Sequence, residues 1–176
     1  MKILRAALAA VCVLAGSAAP ARAAGKPDPL TDAQREVLLE ATTKFRDVKK
    51  AIKAGYVPTE DCVPGMGLHY VHPMLAADRD IDPVLPEILV YAPPGKGKKP
   101  QLVALEYFRA DADQNVKTDQ DRPTLFGHGF DGPMEGHPVP AGVPPMPVHY
   151  DLHVWIYEDN EDGELADLNP EITCER

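Results

Sequence analysis

The sequence has little of what marks several common classes of protein. Only 3 cysteines occur in 176 residues, and no two of them form a CxxC redox motif. The sequence also has no nucleophile elbow, phosphate-binding loop or dinucleotide-binding fingerprint. Cations are few, since 18 Lys and Arg stand against 27 Asp and Glu. This acidic balance argues against nucleic acids and anionic membranes as partners.

Long apolar runs are confined to the N-terminus. Two cations precede an apolar stretch at 6–15, and Ala21-Arg22-Ala23 has the spacing of a cleavage site. We therefore interpret residues 1–23 as a signal peptide and residues 24–176 as a single secreted globular domain. Its removal takes away three cations and changes the formal charge from -9 to -12. No later segment approaches membrane-spanning length, so the mature chain is predicted to be secreted or periplasmic, outside the membrane.

Two cysteines, Cys62 and Cys174, remain after the predicted cleavage. In an oxidising compartment, two cysteines most simply form one disulfide. Such a link would tie the C-terminus to the region after the first helix, and it is worth roughly 4–5 kcal/mol in the chain-entropy model. A thiolate metal site is the less favoured alternative.

The chain is predicted to contain one helix followed by four strands. Thr31-Asp32-Ala33-Gln34 has the form of a capping box, and apolar residues recur at helical spacing as far as Gly55, the expected C′ residue. Four later segments combine β-forming residues with turn residues at their ends, namely 68–72, 87–91, 102–109 and 149–157. This order predicts an α+β fold in which the N-terminal helix packs on a mainly antiparallel sheet of about four strands.

A segment of nearly 40 residues, 110–148, separates the last two predicted strands and is rich in Pro, Gly and Asp. Connections this long are uncommon in compact domains unless they are functional or disordered. Phe126, Phe130 and Met134 offer apolar anchors. We therefore expect a long ordered loop that folds over the sheet before the last strand.

The start of that loop is similar to a calcium-binding loop. Asp111-Ala112-Asp113-Gln114-Asn115 supplies oxygen ligands at alternate positions. An EF-hand loop needs Gly at its sixth position and Glu at its twelfth, where this chain has Val116 and Arg122. A turn-rich acidic loop is the preferred interpretation, and calcium is a less favoured one.

The most informative stretch is His149-Tyr150-Asp151-Leu152-His153, in which polar residues alternate with apolar ones. Side chains of a strand alternate between its two faces. If the more apolar face of every strand, for example that of Val103, Leu105 and Tyr107, meets the helix, the polar residues share the opposite face. The residues expected on this polar face are His69, Glu106, His149, Asp151 and His153.

Imidazoles beside a carboxylate predict a transition-metal site for copper or zinc, with His69, Glu106, His149 and His153 as the candidate ligands. Three methionines stand three residues before a histidine, and thioethers suit Cu(I). Four residues along a strand span about 13 Å, so His149 and His153 would need partners on other strands. His69 and Glu106 are the available ones, whereas Asp151 is suited to orienting a ring.

Two other functions remain open. The polar face could belong to a metal-assisted or acid–base hydrolase of unknown substrate, with Glu106 or His153 as the general base. It could also be a structural hydrogen-bond network in a non-catalytic secreted domain. A metal-free structure in which every imidazole is paired with a carboxylate or carbonyl would favour the network. The loop residues His128 and His137 are expected to be merely solvated.

Several motifs of the chain resemble those of an uncharacterised family of small secreted bacterial proteins. The resemblance rests on Gly65-Met66-Gly67-Leu68-His69-Tyr70 and on the stretch at 147–155, with shorter matches at 106–108, 121–123 and 125–127. It extends from about residue 41 to residue 174. The resemblance implies a secreted protein of one domain, and it implies no activity, cofactor or catalytic residue.

Overall fold

A computed structural model describes residues 29–95, 99–137 and 145–174, apart from the side chains of Glu60 and Asp61. The predicted signal peptide therefore lies outside the described residues. Within these ranges, no helix has both the length and the apolar character that a membrane crossing requires.

The predicted N-terminal helix is present but interrupted. Its capping box forms as expected, because Thr31 accepts a hydrogen bond from the Gln34 backbone N–H and the Gln34 side chain accepts one from the Thr31 N–H. Helix α1 spans Asp32–Thr42, a 3-10 turn spans Thr43–Arg46, and helix α2 spans Val48–Lys53. The single helix expected from the periodicity is therefore two helices joined by a tight turn.

Local hydrogen bonds explain the interruption. The hydroxyls of Thr42 and Thr43 donate to carbonyls four residues earlier, a bond that weakens and bends a helix. Asp47 then caps a new helix by accepting from the Lys49 N–H. Gly55 follows the end of α2 with a φ of 107°, which confirms its prediction as the C′ residue.

Eight strands follow these helices in the described part of the chain. They are β1 (Val57–Val63), β2 (Gly67–Val71), β3 (Ile88–Ala92), β4 (Gln101–Ala110), β5 (Thr124–Leu125), β6 (His128–Gly129), β7 (Asp131–Met134) and β8 (His149–Val154), and helix α3 (Pro73–Ala77) connects β2 to β3. Six of the strands form one sheet in the order β1-β2-β3-β4-β8-β7. Every neighbouring pair in it is antiparallel. β5 and β6 form a separate two-stranded ladder.

The four predicted strands correspond to β2, β3, β4 and β8, so the strand count of about four is too low. Of the four additional strands, β1 and β7 lie at the edges of the six-stranded sheet, and β5 and β6 form the separate ladder. Each edge strand contains a proline, Pro58 or Pro133, which is tolerated at an edge because one backbone N–H there needs no partner. The long loop before the last strand is therefore partly sheet. Its residues 138–144 lie outside the described part of the chain.

One face of the sheet packs on the helices and holds the larger core. The helical segments contribute Leu38, Phe45 and Ala51, and the strands contribute Tyr70, Leu89, Tyr91, Leu105, Tyr107, Tyr150, Leu152 and Val154. The Tyr91 hydroxyl donates to the Phe45 carbonyl at 2.6 Å, which satisfies a buried polar atom between the layers. The helix-facing sides of β2, β4 and β8 are thus apolar.

The opposite face carries a smaller apolar cluster of Val90, Val103, Ala104, Trp155 and Ile172. The prediction placed Val103 with Leu105 on the helix side, which is wrong. The β3–β4 ladder shifts register between Val90 and Tyr91. A bulge adds one unpaired residue to a strand, so the alternation restarts and Glu106 keeps its expected face.

The C-terminal segment, residues 166–174, crosses this second face and is held there at several points. The predicted disulfide between Cys62 and Cys174 is present, with Cα atoms 5.8 Å apart. Gly65 donates its N–H to the Ile172 carbonyl at 2.9 Å, and its carbonyl accepts from the Asn169 N–H at 2.8 Å. The segment therefore covers part of the sheet face that carries the predicted polar residues.

Gly67→Ala is expected to lower the free energy of unfolding by at least roughly 2 kcal/mol. Gly67 has a φ of 111°, and a Cβ there would lie 2.6 Å from the Tyr91 carbonyl oxygen, which belongs to the β2–β3 ladder. Urea denaturation measures the change. Gly127→Ala is the matched control, because Gly127 has a φ of 89° but no atom within 4 Å of the place where a Cβ would lie. A loss no larger than that of the control would contradict the steric argument.

Candidate metal centre

The register of the sheet brings three of the predicted ligands to one place. Glu106 on β4 lies directly opposite His153 on β8. His69 on β2 lies opposite Val90 on β3, which in turn lies opposite Ala104, two residues from Glu106. Directly opposite residues share a face of an antiparallel sheet. The three side chains therefore project from the face that the helices do not cover.

The ligand atoms of these residues lie at the spacing of a coordination shell. His69 Nε2 is 3.2 Å and His153 Nε2 is 3.6 Å from Glu106 Oε2, and one ligand atom from each residue lies within 4.8 Å of the others. Nitrogen and oxygen ligands about 2 Å from a tetrahedral zinc ion are roughly 3.3 Å from one another. This His/Glu group could hold a metal ion.

Burial leaves several of these atoms without partners. Glu106 is 5 % exposed and His153 is 1 % exposed. Glu106 Oε2 and both ring nitrogens of His153 have no hydrogen-bond partner among the described residues. An unsatisfied buried polar atom costs about 1–3 kcal/mol, so proteins rarely retain such atoms without a reason. A cation between them would satisfy the lone pairs.

The environment disfavours charge on all three groups. Burial, followed by the charge of His137, lowers the pKa of His69 to about 4. Burial, followed by His69, lowers the pKa of His153 to about 3. Burial also raises the pKa of Glu106 well above its ordinary value. Both imidazoles are therefore neutral near pH 7, and the close His–Glu contacts are not ion pairs.

Comparison with known proteins gives no function for this arrangement. No protein-family model, no curated protein and no solved structure matches the chain. The site therefore has to be interpreted from its own geometry.

A second possible ligand group shares His153 with the first. One ligand atom from each of Asp151, His153 and Asp167 lies within 4.8 Å of the others, and His153 Nδ1 is 3.7 Å from Asp167 Oδ1. Burial, followed by the charges of Asp167 and Asp131, raises the pKa of Asp151 to about 7. Like Glu106, Asp151 has a buried oxygen, Oδ1, without a hydrogen-bond partner in the described part of the chain.

His149, the fourth predicted ligand, is not in either group. Its Nδ1 lies 3.0 Å from the Pro147 carbonyl, and its Nε2 lies 3.8 Å from Asp151 Oδ2. The ring stacks on Phe108 with 5.0 Å between centroids. The structure thus brings His69, Glu106 and His153 together and leaves His149 beside Asp151, because His149 and His153 are four residues apart on an extended strand.

Sequence reasoning missed Asp167. This residue lies in the C-terminal segment, for which no strand or motif was predicted, and it reaches the sheet because that segment folds back over it. The predicted disulfide was the available signal, since it requires the C-terminus to return towards β1 (Val57–Val63). It does not indicate which residue of the segment meets His153.

The acidic loop is organised by turns and ion pairs, as its preferred interpretation predicted. The Thr118 hydroxyl donates to Asp113 at 2.8 Å. Asp121 accepts from Tyr150 at 3.1 Å and from Arg79 at 3.2 Å. Among the described residues, none of these carboxylates belongs to a group with metal-ligand spacing.

Proposed function

We propose that this protein binds a zinc or copper(II) ion through His69, Glu106 and His153, in an oxidising compartment outside the cytoplasm. One observation carries the proposal. Three ligand atoms from three separate strands converge at coordination spacing, and the buried Glu106 and His153 atoms among them have no hydrogen-bond partner in the described chain.

The ligand chemistry supports the choice of metal. Two imidazoles and one carboxylate form the His2Glu set of several zinc enzymes, and imidazole also suits copper. The group contains no sulfur, so it suits Cu(II) better than Cu(I). The methionines that stand three residues before a histidine had favoured Cu(I). Three protein ligands leave one tetrahedral position for a small ligand or water.

The disulfide and the N-terminal sequence support the proposed compartment. The Cys62–Cys174 link is typical of secreted and periplasmic proteins and is rare in the reducing cytoplasm. The charged, apolar and small-residue pattern of residues 1–23 has the form of a signal peptide. The motifs that resemble those of small secreted bacterial proteins are consistent with the same location.

The structural hydrogen-bond network is less well supported. It requires every buried imidazole to have a carboxylate or carbonyl partner. His149 meets this requirement through the Pro147 carbonyl. His153 does not, since neither of its nitrogens is hydrogen-bonded among the described residues.

Metal titration tests the proposal. Apo protein is expected to bind its first Zn(II) or Cu(II) ion with a dissociation constant below about 1 μM, a free energy of about 8 kcal/mol. His69→Ala and Glu106→Gln should each lower the affinity for that first ion by roughly 10- to 100-fold or more. The loss of a residue that only supports a metal ligand already lowers metal affinity by this much. Competition with a chromophoric chelator measures the affinities.

His128→Ala is the matched control for this titration. It removes an imidazole that lies outside both ligand groups, so the affinity for the first ion should not change. The proposal fails if the wild type binds neither metal more tightly than about 1 μM, or if His128→Ala weakens binding as much as His69→Ala.

A further inference from the structure

His153 connects the two ligand groups through opposite sides of its ring. Its Nε2 lies 3.6 Å from Glu106 Oε2, and its Nδ1 lies 3.7 Å from Asp167 Oδ1. The lone-pair directions of the two nitrogens of an imidazole diverge. One ion therefore cannot be bound by both nitrogens, and each group needs its own ion.

The hydrogen bonding of His153 differs from that of the other buried rings. A neutral imidazole has one N–H donor and one acceptor nitrogen, and a buried polar group normally has at least one hydrogen-bond partner. His153 is 1 % exposed, and within the described chain it uses neither. By contrast, the equally buried His149 has its Nδ1 3.0 Å from the Pro147 carbonyl, and the half-buried His72 contacts the Ala54 carbonyl through Nε2 and accepts from the Leu75 N–H through Nδ1. Both nitrogens of His153 are thus free for metal ions.

The second group also has an unpartnered ligand atom of its own. Asp151 is 4 % exposed, and its Oδ1 has no hydrogen-bond partner among the described residues. Its other oxygen faces His149 at 3.8 Å. The second group is therefore more than a cluster of surface carboxylates, because a buried aspartate and a buried imidazole nitrogen meet there.

We propose that the protein holds two transition-metal ions, zinc or copper(II), bridged by the His153 ring. The first ion lies among His69, Glu106 and His153 Nε2, and the second lies among Asp151, Asp167 and His153 Nδ1. The bridge rests on the proposed function for the first ion and adds a second site on the other side of the same ring.

The charges of such a pair balance. Neutral imidazole carries one ring proton, which passes to solvent when the second ion binds, and protons that Glu106 and Asp151 hold in the metal-free protein leave in the same way. The imidazolate then gives one lone pair to each metal. Two divalent ions bring four positive charges. Glu106, Asp151, Asp167 and the imidazolate together supply four negative ones, and neither metal changes its oxidation state. The ions thus offset the negative charge that burial and neighbouring carboxylates otherwise disfavour inside the protein.

The two ions should differ in affinity. The side chains that hold the first ion are 12 % exposed or less, whereas the Asp167 side chain is 53 % exposed. Ordering an exposed aspartate costs conformational entropy, and water competes for the ion there. The second ion should therefore bind more weakly than the first and exchange faster.

Counting bound zinc at saturation tests the second site. The wild-type chain, loaded with excess Zn(II) and freed of unbound metal, should retain two ions by elemental analysis. Asp167→Asn should retain only the first ion, and Glu106→Gln should retain only the second. Asp162→Asn is the matched control, since it removes an exposed carboxylate outside both groups, and it should retain two.

Copper tests the bridge itself. One Cu(II) per chain should give a full electron paramagnetic resonance signal. Two should give a reduced signal per copper, because unpaired spins couple through a shared imidazolate, and Asp167→Asn should keep a full signal for its one copper. If the wild type binds a single ion at saturation, the bridged pair is overturned. If Glu106→Gln then loses that ion, the proposed function still stands. Two ions without spin coupling, or two ions retained in Asp167→Asn, also overturn the bridge, and no bound metal at all overturns both proposals.

Discussion

Removal of the Cys62–Cys174 disulfide is expected to lower the free energy of unfolding by about 5 kcal/mol. The two cysteines are separated by 112 positions, and a link across so long a loop restricts the unfolded chain strongly. Domains of this size are commonly stable by only about 5–15 kcal/mol. The loss would therefore remove a large part of the stability and would free the segment that carries Asp167.

The double variant Cys62→Ser, Cys174→Ser measures this contribution in urea denaturation. Reductant should bring the wild type down to the stability of the variant and should leave the variant unchanged. A loss below about 1 kcal/mol would contradict the expectation. It would mean that the backbone bonds of Gly65 to Ile172 and Asn169 hold the C-terminal segment without the covalent link.

Glu87→Gln is expected to stabilise the protein relative to the wild type as pH rises, by up to about 4–5 kcal/mol above pH 8. Glu87 is 1 % exposed and accepts a hydrogen bond from the Phe108 N–H at 3.0 Å. Burial raises the pKa of Glu87 from 4.5 to about 8, although the Phe108 bond acts in the opposite direction. The folded protein therefore holds this proton over a range in which the unfolded chain has released it.

The sign follows from proton binding. Below pH 4.5 both states are protonated, so the stability that Glu87 contributes is fully present. Between pH 4.5 and about 8 the folded state binds more protons than the unfolded state, so the free energy of unfolding falls by about 1.4 kcal/mol per pH unit from this group. Glutamine keeps an oxygen that can accept from the Phe108 N–H but does not titrate, so the variant lacks this slope.

Urea denaturation between about pH 5 and 9 compares Glu87→Gln with the wild type. Glu106 and Asp151 also have raised pKa values, but both proteins contain them, so the difference between the two proteins reports Glu87. Glu158→Gln is the control, because it makes the same substitution on an exposed side chain and should run parallel to the wild type. A difference between Glu87→Gln and wild type that stays constant with pH would refute the expected titration.

Alternation of apolar and polar residues located the central strands because both of their faces are constrained. In His149-Tyr150-Asp151-Leu152-His153, the large apolar side chains are buried on the helix side, so the polar ones share the other face. The edge strands carry no such pattern. Pro58 and Pro133 interrupt the β-forming residues of their segments, and the pairing of these segments depends on a neighbouring strand rather than on their own composition.

The bulge near Val103 limits how well the alternation of side chains along a strand predicts which face of the sheet each one occupies. It moved one residue to the unexpected face and then restored the alternation, so Glu106 still faces His153. One further shift between Leu105 and Glu106 would have turned the carboxylate towards the helices. The ligand prediction therefore depended on a register that no local feature of β4 (Gln101–Ala110) specifies.

Local chemistry within the chain was enough to indicate an α+β protein with a mainly antiparallel sheet, one disulfide and a polar sheet face with His69, Glu106 and His153. Those features depend on helical and strand periodicity and on residue type, which act over a few neighbouring positions. The tertiary structure decided that His149 stands apart from the other ligands and that Asp167 reaches the far side of the His153 ring. The reason is that distances between strands, and the path of the C-terminal segment, are set by packing and register across the whole domain.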